Sequence, residues 1–299
     1  MSILVVGSVA FDTIATPLGT CDKVLGGSAT YFSLSAHFFT PVKLVAVVGQ
    51  DFPTKYATLL SDRGIDLEGL SFEKGETFRW RGEYGWDFNN AKTLATHLNV
   101  FSSFNPKLPE RYRNSTYVFL ANIDPQIQQR VLAQVRRPKV VACDTMNHWI
   151  TAKRKELTRF IKHVDILLLN DGEARQLSQE NNLFKAARAI MRWGVTHVVI
   201  KKGEHGALLF SPRSVFCVPA FLLDEVFDPT GAGDTFAGGF MGYLARSGKI
   251  NDTTLRRAVV YGTVMATFTV EKFGVARLLE INKRDIQKRL NEFTKLTAY

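Results

Sequence analysis

Short runs of apolar, mostly β-branched residues recur along the chain, and each is followed by a polar or glycine break and then by residues at helical spacing. The runs cover residues 3–9, 42–48, 117–121, 140–143, 166–169 and 198–200. Most are apolar on both faces, as expected of parallel strands that helices cover on each side. Residues 184–193 show helical spacing, with Gly194 in the stop position. The pattern predicts one α/β domain over residues 1–299, with a doubly wound, mostly parallel sheet flanked by helices.

Residues 78–88 depart from this rhythm because aromatic and charged residues alternate there. One face of an extended chain would carry Phe78, Trp80, Tyr84, Trp86 and Phe88, and the other Arg79, Arg81, Glu83 and Asp87. A period of two is typical of a half-exposed antiparallel strand or hairpin, and residues 13–24 also lack helical spacing. We therefore expect a small β lid from about residues 12–25 and 72–100. Its aromatic face would form either a lid or dimer core, or a stacking surface for a ligand ring.

Composition narrows the class of protein. Of the 299 residues, 45% are apolar and 22% charged, which excludes a disordered chain. No apolar run reaches about 18 residues and the chain begins with a predicted strand, so we expect neither a membrane span nor a secretory leader. The three cysteines are far apart and fit free thiols in a reducing cytoplasm.

The net charge of +10 is compatible with nucleic acid, a membrane surface or a small anionic ligand. The basic residues are scattered, and the sequence contains no recognisable nucleic-acid-binding motif. We therefore expect a small anionic ligand, with no nucleic-acid or membrane partner.

The strongest local signal is Asp228-Pro-Thr-Gly-Ala-Gly-Asp234, which precedes an apolar helix with glycines at positions 238, 239 and 242. Pro229 and the small residues predict a tight turn whose backbone N–H groups open at the helix N-terminus. Such a turn binds a phosphate or a developing oxyanion. Asp234 falls in the first helical turn. Each helical glycine costs about 1 kcal/mol relative to alanine, which indicates that another backbone or a ligand approaches closely.

Polar residues follow the ends of several predicted strands, the edge at which open α/β sheets bind ligands. They are Asp12, Asn122, Asp144, Asn170 and Lys201. Asn170 and Glu173 begin a helix, either as a carboxylate site for magnesium or as an ordinary acidic first turn. The sequence contains no P-loop, no Gly-x-Gly-x-x-Gly after the first strand and no Gly-x-Ser-x-Gly elbow.

Two further stretches contain glycines next to these positions. Gly26-Gly27 opens a predicted helix, where it permits close backbone approach or hinge motion, or is a plain turn. Lys201-Lys-Gly203-Glu-His-Gly206 predicts a strand, a turn and a strand, beside which a nucleotide would fit.

Four stretches follow one another along the chain: Gly26-Gly27, Asn170–Glu173, Gly203–Gly206 and Asp228–Asp234. In this order they resemble the ribokinase-like carbohydrate kinases, the phosphofructokinase-B family, and the resemblance covers essentially the whole chain. The run from Asp228 to Asp234 matches the carboxyl-terminal signature. Gly26-Gly27 followed by Gly49-Gln-Asp51-Phe matches the amino-terminal one in outline. The family's usual Asn after the double glycine is replaced here by Thr30-Tyr31.

The resemblance implies a phosphotransferase that uses ATP and Mg²⁺, and it assigns roles to residues of this chain. Asp234 would be the catalytic base, with the anion hole formed by Gly231, Ala232 and Gly233. The acceptor would be held by Asp12, Gly26, Gly27 and Asp234. ATP would contact Asn170, Lys201, Gly203, Gly206, Asp228, Thr230, Gly231 and Gly233, and Glu173 would be linked to the metal.

Other properties of the family extend the expectation. Some members bind potassium near the residues matching Asp228 and Thr230, so K⁺ is an option here. In several members the β lid is also the dimer contact, so we expect a homodimer through the lid.

We therefore expect ATP-dependent phosphorylation of a primary hydroxyl of a sugar or nucleoside. A sugar phosphate is the alternative acceptor, if Arg79 or Arg81 meets its phosphate. The alternative function is a non-catalytic regulator on the same fold that binds nucleotide or sugar without turnover.

Overall fold

The computed structural model describes residues 1–89 and 91–298. The strands are β1 (Ile3–Val6), β2 (Ala10–Thr16), β3 (Gly19–Gly26), β4 (Val42–Gly49), β5 (Ile65–Glu73), β6 (Phe78–Tyr84), β7 (Ala91–His97), β8 (Tyr117–Leu120), β9 (Val140–Asp144), β10 (Ile166–Asn170), β11 (His197–Lys201), β12 (Ala207–Phe210) and β13 (Val215–Val218).

The α-helices are α1 (Ser28–Ala36), α2 (Thr54–Ser61), α3 (Pro125–Leu132), α4 (Asn147–Ala152), α5 (Arg154–Ile161), α6 (Asp171–Ser178), α7 (Leu183–Met191), α8 (Ala232–Ser247), α9 (Asp252–Thr269), α10 (Ala276–Glu280) and α11 (Lys283–Thr297). Among the helices described, none combines the length and apolar character that crossing a bilayer requires.

The larger sheet has nine strands in the order β13-β12-β11-β10-β9-β8-β1-β4-β5. From β11 to β5 all neighbours are parallel, whereas β12 and β13 add antiparallel at one edge. The predicted mostly parallel sheet is confirmed, and each of the apolar runs overlaps a strand. The sequence does not predict β5, because this edge strand is largely polar and only partly buried.

Helices cover both faces of this sheet and enclose an apolar core on each side. Because successive strand residues point to opposite faces, Ile3 and Val5 belong to one core and Leu4 and Val6 to the other. Helices α1, α8 and α9 contribute to the first core, and α3, α5 and α7 to the second. The doubly wound arrangement follows from strands that are apolar on both faces.

The smaller sheet has the order β3-β2-β6-β7. It joins the two segments that lack helical spacing, because β2 pairs with β6 in parallel and with β3 antiparallel. Asp12 on β2 is the register partner of Trp80 on β6. Their side chains therefore point to the same face of the small sheet.

The expectation that one aromatic face continues to Phe88 is wrong. Strand β6 ends at Tyr84, and the chain then turns, with the Phe88 N–H donating to the Gly85 carbonyl at 3.1 Å. Glycine, aspartate and asparagine residues favour a turn here and override the alternation. Trp86 and Phe88 consequently lie at the tip of the β6–β7 hairpin rather than on its face.

A cluster at the end of β4 fastens the small sheet to the body. The Asp51 carboxylate accepts hydrogen bonds from the backbone N–H and the hydroxyl of Thr77, both at 2.7 Å. Arg79 forms ion pairs with Asp51 at 3.0 Å and with Glu76 at 2.9 Å. Burial raises the pKa of Asp51, but the bonds from Thr77 and Arg79 outweigh it and hold the pKa below its usual value. Part of the amino-terminal signature therefore positions β6.

Candidate active site

The loop before α8 is held by Asp228, which is fully buried. One of its carboxylate oxygens accepts a hydrogen bond from the Thr230 N–H at 2.9 Å, and the other accepts from the Gly274 N–H at 2.8 Å. Gly231, the N-cap of α8, has φ of 74°, a left-handed conformation that favours glycine. Because both oxygens of Asp228 are engaged with backbone amides, this residue fixes the shape of the loop.

The loop leaves backbone N–H groups free at the N-terminus of α8. The Ala232 N–H donates to the Pro229 carbonyl at 3.1 Å. In residues 1–89 and 91–298, the N–H groups of Gly231, Gly233 and Asp234 have no hydrogen-bond acceptor. The free amides that could bind an anion thus include Gly231 and Gly233 of the predicted set, whereas Ala232 is engaged in the turn itself.

The glycines of α8 allow a close contact with α1. A Cβ atom at Gly238 would lie 2.4 Å from the carbonyl oxygen of Phe32, and one at Gly242 would lie 3.1 Å from the Cα of Ala36. The close backbone approach expected from these glycines is therefore present. It packs the middle of α8 against α1, the helix that follows the Gly26-Gly27 pair.

Asp234, in the first turn of α8, is half-buried, and its carboxylate accepts no hydrogen bond from any described residue. Burial raises its pKa to about 7, the charge of Asp144 adds to the rise, and Lys201 opposes it. A free carboxylate with a pKa near 7 is suited to accept a proton near neutral pH.

Lys201 at the end of β11 lies between carboxylates. Its Nζ donates to Asp144 Oδ2 at 2.7 Å, and both side chains are mostly buried. A Cβ atom at Gly233 would lie 3.0 Å from the same Nζ, so the ammonium group lies beside the loop before α8. Sequence analysis identifies Asp144 only as a strand-end residue, because its pairing with Lys201 depends on strands β9 and β11, which lie on either side of β10 and are far apart in sequence.

Glu173, at the start of α6, interacts electrostatically with Asp144, Lys201 and Asp234, and these four residues are called the charged group below. Its side chain accepts a hydrogen bond from the Asn170 N–H at 2.7 Å, while Asn170 caps the Glu173 N–H at 2.7 Å. The two residues therefore form a capping box. This agrees with the ordinary helix start that the sequence offers as the alternative to a magnesium site. Burial raises the pKa of Glu173 to about 7, helped by the charge of Asp144. The pair is thus a helix cap whose carboxylate also lies in the charged group.

Asp12 and the double glycine lie on the other side of the loop. Asp12 is 4% exposed, and a Cβ atom at Gly26 would lie 1.9 Å from its Oδ2. Gly27 has φ of 93° and also leaves no space for a side chain against the Ser8 carbonyl. Burial raises the pKa of Asp12 to about 7, with contributions from the charges of Asp228 and Asp234. The charge of Asp234 therefore acts on Asp12 across the loop.

Two tyrosines complete this side. A Cβ atom at Gly231 would lie 2.4 Å from the Tyr31 ring, so the ring occupies the space of a side chain there. Tyr31 is 1% exposed. Its hydroxyl has no hydrogen-bond partner in the described chain. Burial raises its pKa, as do the charges of Asp12 and Asp228. The Thr230 hydroxyl donates a hydrogen bond to the hydroxyl of Tyr84 on β6 at 3.2 Å. For Tyr31, the only sequence signal is that it stands near where the family has asparagine.

On the opposite side, a cleft of about 460 Å³ opens beside the loop. Of the predicted nucleotide contacts, it is lined by Lys201, Gly203, Gly206 and Gly233. Asn170, Asp228, Thr230 and Gly231 do not line it. Its other walls come from the hairpin tip, the coil after β13 and helices α8 and α9. The coil and the α9 wall are not indicated by any motif in the sequence.

The model of the pfkB family of carbohydrate kinases matches residues 2–282 of this sequence. The chain belongs to that family. It is 28% identical over 280 residues to a cytidine kinase of Thermococcus kodakarensis, an alignment that covers 92% of this chain and 98% of that protein.

Solved structures share the fold. A nucleoside kinase of Methanocaldococcus jannaschii has a TM-score of 0.78 at 21% identity, covering 97% of this chain and 98% of that one. A ribokinase II of E. coli, solved with ATP and Mg²⁺, has a TM-score of 0.81 at 18% identity, covering 97% and 99%. Family and relatives together identify this chain as a carbohydrate or nucleoside kinase with a ribokinase fold.

Proposed function

We propose that this kinase transfers the γ-phosphoryl group of ATP to a primary hydroxyl of an uncharged nucleoside, with Asp234 as the base. The observation that carries the proposal is the Asp234 carboxylate, which accepts no hydrogen bond in the described chain, in the first turn of α8 next to the free N–H groups of Gly231 and Gly233. Similarity to a cytidine kinase supports a nucleoside acceptor.

Asp234 would orient the acceptor hydroxyl and take its proton as the phosphoryl group is transferred. The transition state of phosphoryl transfer is loose, so positioning and charge stabilisation supply most of the catalysis. The free N–H groups of Gly231 and Gly233 would stabilise charge on the transferred oxygens, and Lys201 beside Gly233 would add a positive charge.

The charged group also fits a magnesium ion. Lys201 is paired with Asp144, and the charges of Glu173 and Asp234 also act on it, so three carboxyl groups influence one ammonium group. The cap uses only one oxygen of Glu173. Magnesium usually binds through one or two carboxylates plus phosphates, and no described cluster has three metal-binding side chains. Glu173 would hold the ion with the phosphates, whose charge the ion would neutralise.

An uncharged acceptor is favoured over a sugar phosphate. Arg79 is paired with Asp51 and Glu76, on the face of the small sheet opposite to that of Asp12. The face shared by Asp12 and Trp80 is aromatic and would suit a nucleobase. Asp12, with Gly26 and Gly27, would bind the acceptor's hydroxyls.

The small sheet would act as the lid over the acceptor and, through its exposed β7 edge, as the contact of a homodimer. Light scattering of the purified protein tests the dimer. Potassium near Asp228 and Thr230 remains a prediction, tested by exchanging K⁺ for tetramethylammonium in the assay.

The experiment that tests the function is a panel of nucleosides, free sugars and sugar phosphates with ATP and Mg²⁺, read by ADP release. We expect turnover with a nucleoside, at least about tenfold faster than with any sugar phosphate, since a tenfold ratio needs only about 1.4 kcal/mol. Asp234→Asn serves as the inactive control. ADP release that no acceptor stimulates, or faster turnover with a sugar phosphate, would overturn the proposal.

A further inference from the structure

Trp86 and Leu222 are the most exposed large apolar side chains of residues 1–89 and 91–298, with exposed fractions of 79% and 77%. They come from separate segments, the β6–β7 turn and the coil after β13. Both line the same cleft of about 460 Å³. Paired exposed apolar groups at one cleft indicate a binding surface for an apolar part of a ligand.

The hairpin tip is held at this cleft by specific contacts. The Asn89 Nδ2 donates to Glu204 Oε1 at 3.4 Å, and a Cβ atom at Gly203 would lie 2.6 Å from Asn89 Oδ1. Phe88 adopts a φ of 50°, which is unfavourable for a bulky residue and persists only where the surroundings fix it. The small sheet therefore reaches the glycine loop that follows β11.

The cleft is polar at one part and apolar at another. Lys201 and Gly233 line it beside the anion-binding loop, whereas Phe221, Leu222 and Val226 supply an apolar wall. A nucleoside triphosphate has the same division, with charged phosphates and a flat base. Neither Asp12 nor Tyr31 is among the described residues that line this cleft, so it is separate from the acceptor space.

We propose that Trp86 stacks on the base of the donor nucleotide and that Leu222 packs against the base from the coil. This inference rests on the proposed kinase function, because it takes the cleft lined by Lys201, Gly203, Gly206 and Gly233 as the site of ATP, the phosphate donor. Stacking on an aromatic ring tolerates different bases because every base has a π-face. The hairpin would then contact both substrates, the acceptor through its face and the donor through its tip.

The test is calorimetric titration of the protein with ADP and with GDP, which requires no turnover. We expect Trp86→Ala to weaken both nucleotides about tenfold and to leave their affinity ratio unchanged, and Trp86→Phe to weaken them less. Phe184→Ala is the matched control, because Phe184 is an exposed aromatic residue on α7 outside the cleft. It should bind both nucleotides as the parent does.

A second readout is independent of the alanine variant's folding. ADP should change the fluorescence of the parent protein, and Trp86→Phe should remove most of that change. ADP affinity within twofold of the parent in Trp86→Ala, or a fluorescence response to cytidine instead of ADP, would overturn the stacking proposal. Lys201→Met tests separately whether ADP binds in this cleft at all. If this variant leaves ADP affinity unchanged, the assignment of the cleft to the donor fails, independently of the result for Trp86.

Discussion

On the proposed acceptor side of the loop before α8, Asp12 and Tyr31 are almost completely buried and share their surroundings with Asp228. On the proposed donor side, the cleft is open and is lined by the exposed Trp86 and Leu222. The buried side holds carboxylates that are expensive to ionise, whereas the open side holds apolar groups that are expensive to hydrate. A bound ligand would reduce both costs, by hydrogen bonding to the buried carboxylates and by covering the exposed apolar groups. The two substrates would therefore be recognised by different forces.

The charge of Asp234 acts on Asp12 on one side and interacts with Lys201 on the other, and Asp234 is the proposed base, so its variant should have the largest effect. Asp234→Asn keeps the shape of the side chain but removes the base, and we expect kcat to fall by about 10²–10⁴-fold. The variant should remain folded, because the carboxylate accepts no hydrogen bond from the described residues. Circular dichroism and the ADP-release assay check both points. A variant that is folded and turns over at the parental rate would exclude Asp234 as the base.

Lys201→Met should break the electrostatic link between the sides. Lys201 lowers the pKa of Asp234, so its removal should move the acid limb of kcat/KM upward from near pH 7 by about one unit. The KM for ATP should rise about tenfold, because the phosphates lose a charged partner.

Lys202→Met is the matched control, because Lys202 is adjacent in sequence but does not line the cleft. An acid limb that stays in place in Lys201→Met would show that Asp234 does not titrate under the influence of Lys201.

A pair of tyrosine variants tests the acceptor side. Tyr31→Phe removes a buried hydroxyl that lacks a partner in the described chain, so the free energy of unfolding should rise by about 1 kcal/mol. Tyr84→Phe removes a bond to Thr230 and should lower that free energy by about 0.5–1.5 kcal/mol.

If Tyr31 contacts the acceptor, Tyr31→Phe should also raise the acceptor KM several-fold while leaving the KM for ATP unchanged. Denaturant titration and steady-state kinetics measure the two effects. Loss of stability in Tyr31→Phe, with an unchanged acceptor KM, would contradict this role.

The smallest expected effect is on the pH dependence of stability. Asp12, Glu173 and Asp234 have pKa values of about 7 in the folded protein, raised from 3.8, 4.5 and 3.8. Between about pH 4 and pH 7 the folded state therefore binds more protons than the unfolded state, and the free energy of unfolding falls as the pH rises.

We expect Tm to be a few degrees lower at pH 8 than at pH 6, about 2–4 °C per kcal/mol for a chain of this size. Asp234→Asn should raise Tm at pH 8 and have little effect at pH 4. Scanning calorimetry of both proteins measures this difference. Equal shifts at both pH values would mean that Asp234 ionises normally in the folded state.

The sequence by itself determined the buried parallel strands of the large sheet, β1, β4 and β8 to β11, and the turn before α8. Strands that are apolar on both faces can only be buried between helices, and the run from Asp228 to Asp234 carries its turn and helix start in a few adjacent residues. The need for glycine at positions 26 and 27 is also largely local. Gly27 has a positive φ, and a side chain at Gly26 would clash with Asp12 on the paired strand β2.

The tertiary structure alone decided which side chains meet around that loop. Asp144 reaches Lys201 and Tyr31 covers Gly231 only because distant strands and helices pack together. The alternation predicts an aromatic face up to Phe88 because it is a local pattern. The position of the hairpin tip depends instead on the turn after Tyr84 and on the contact of Asn89 with Glu204. Local spacing fixes secondary structure, but pKa values and cleft walls depend on neighbours that are distant in sequence.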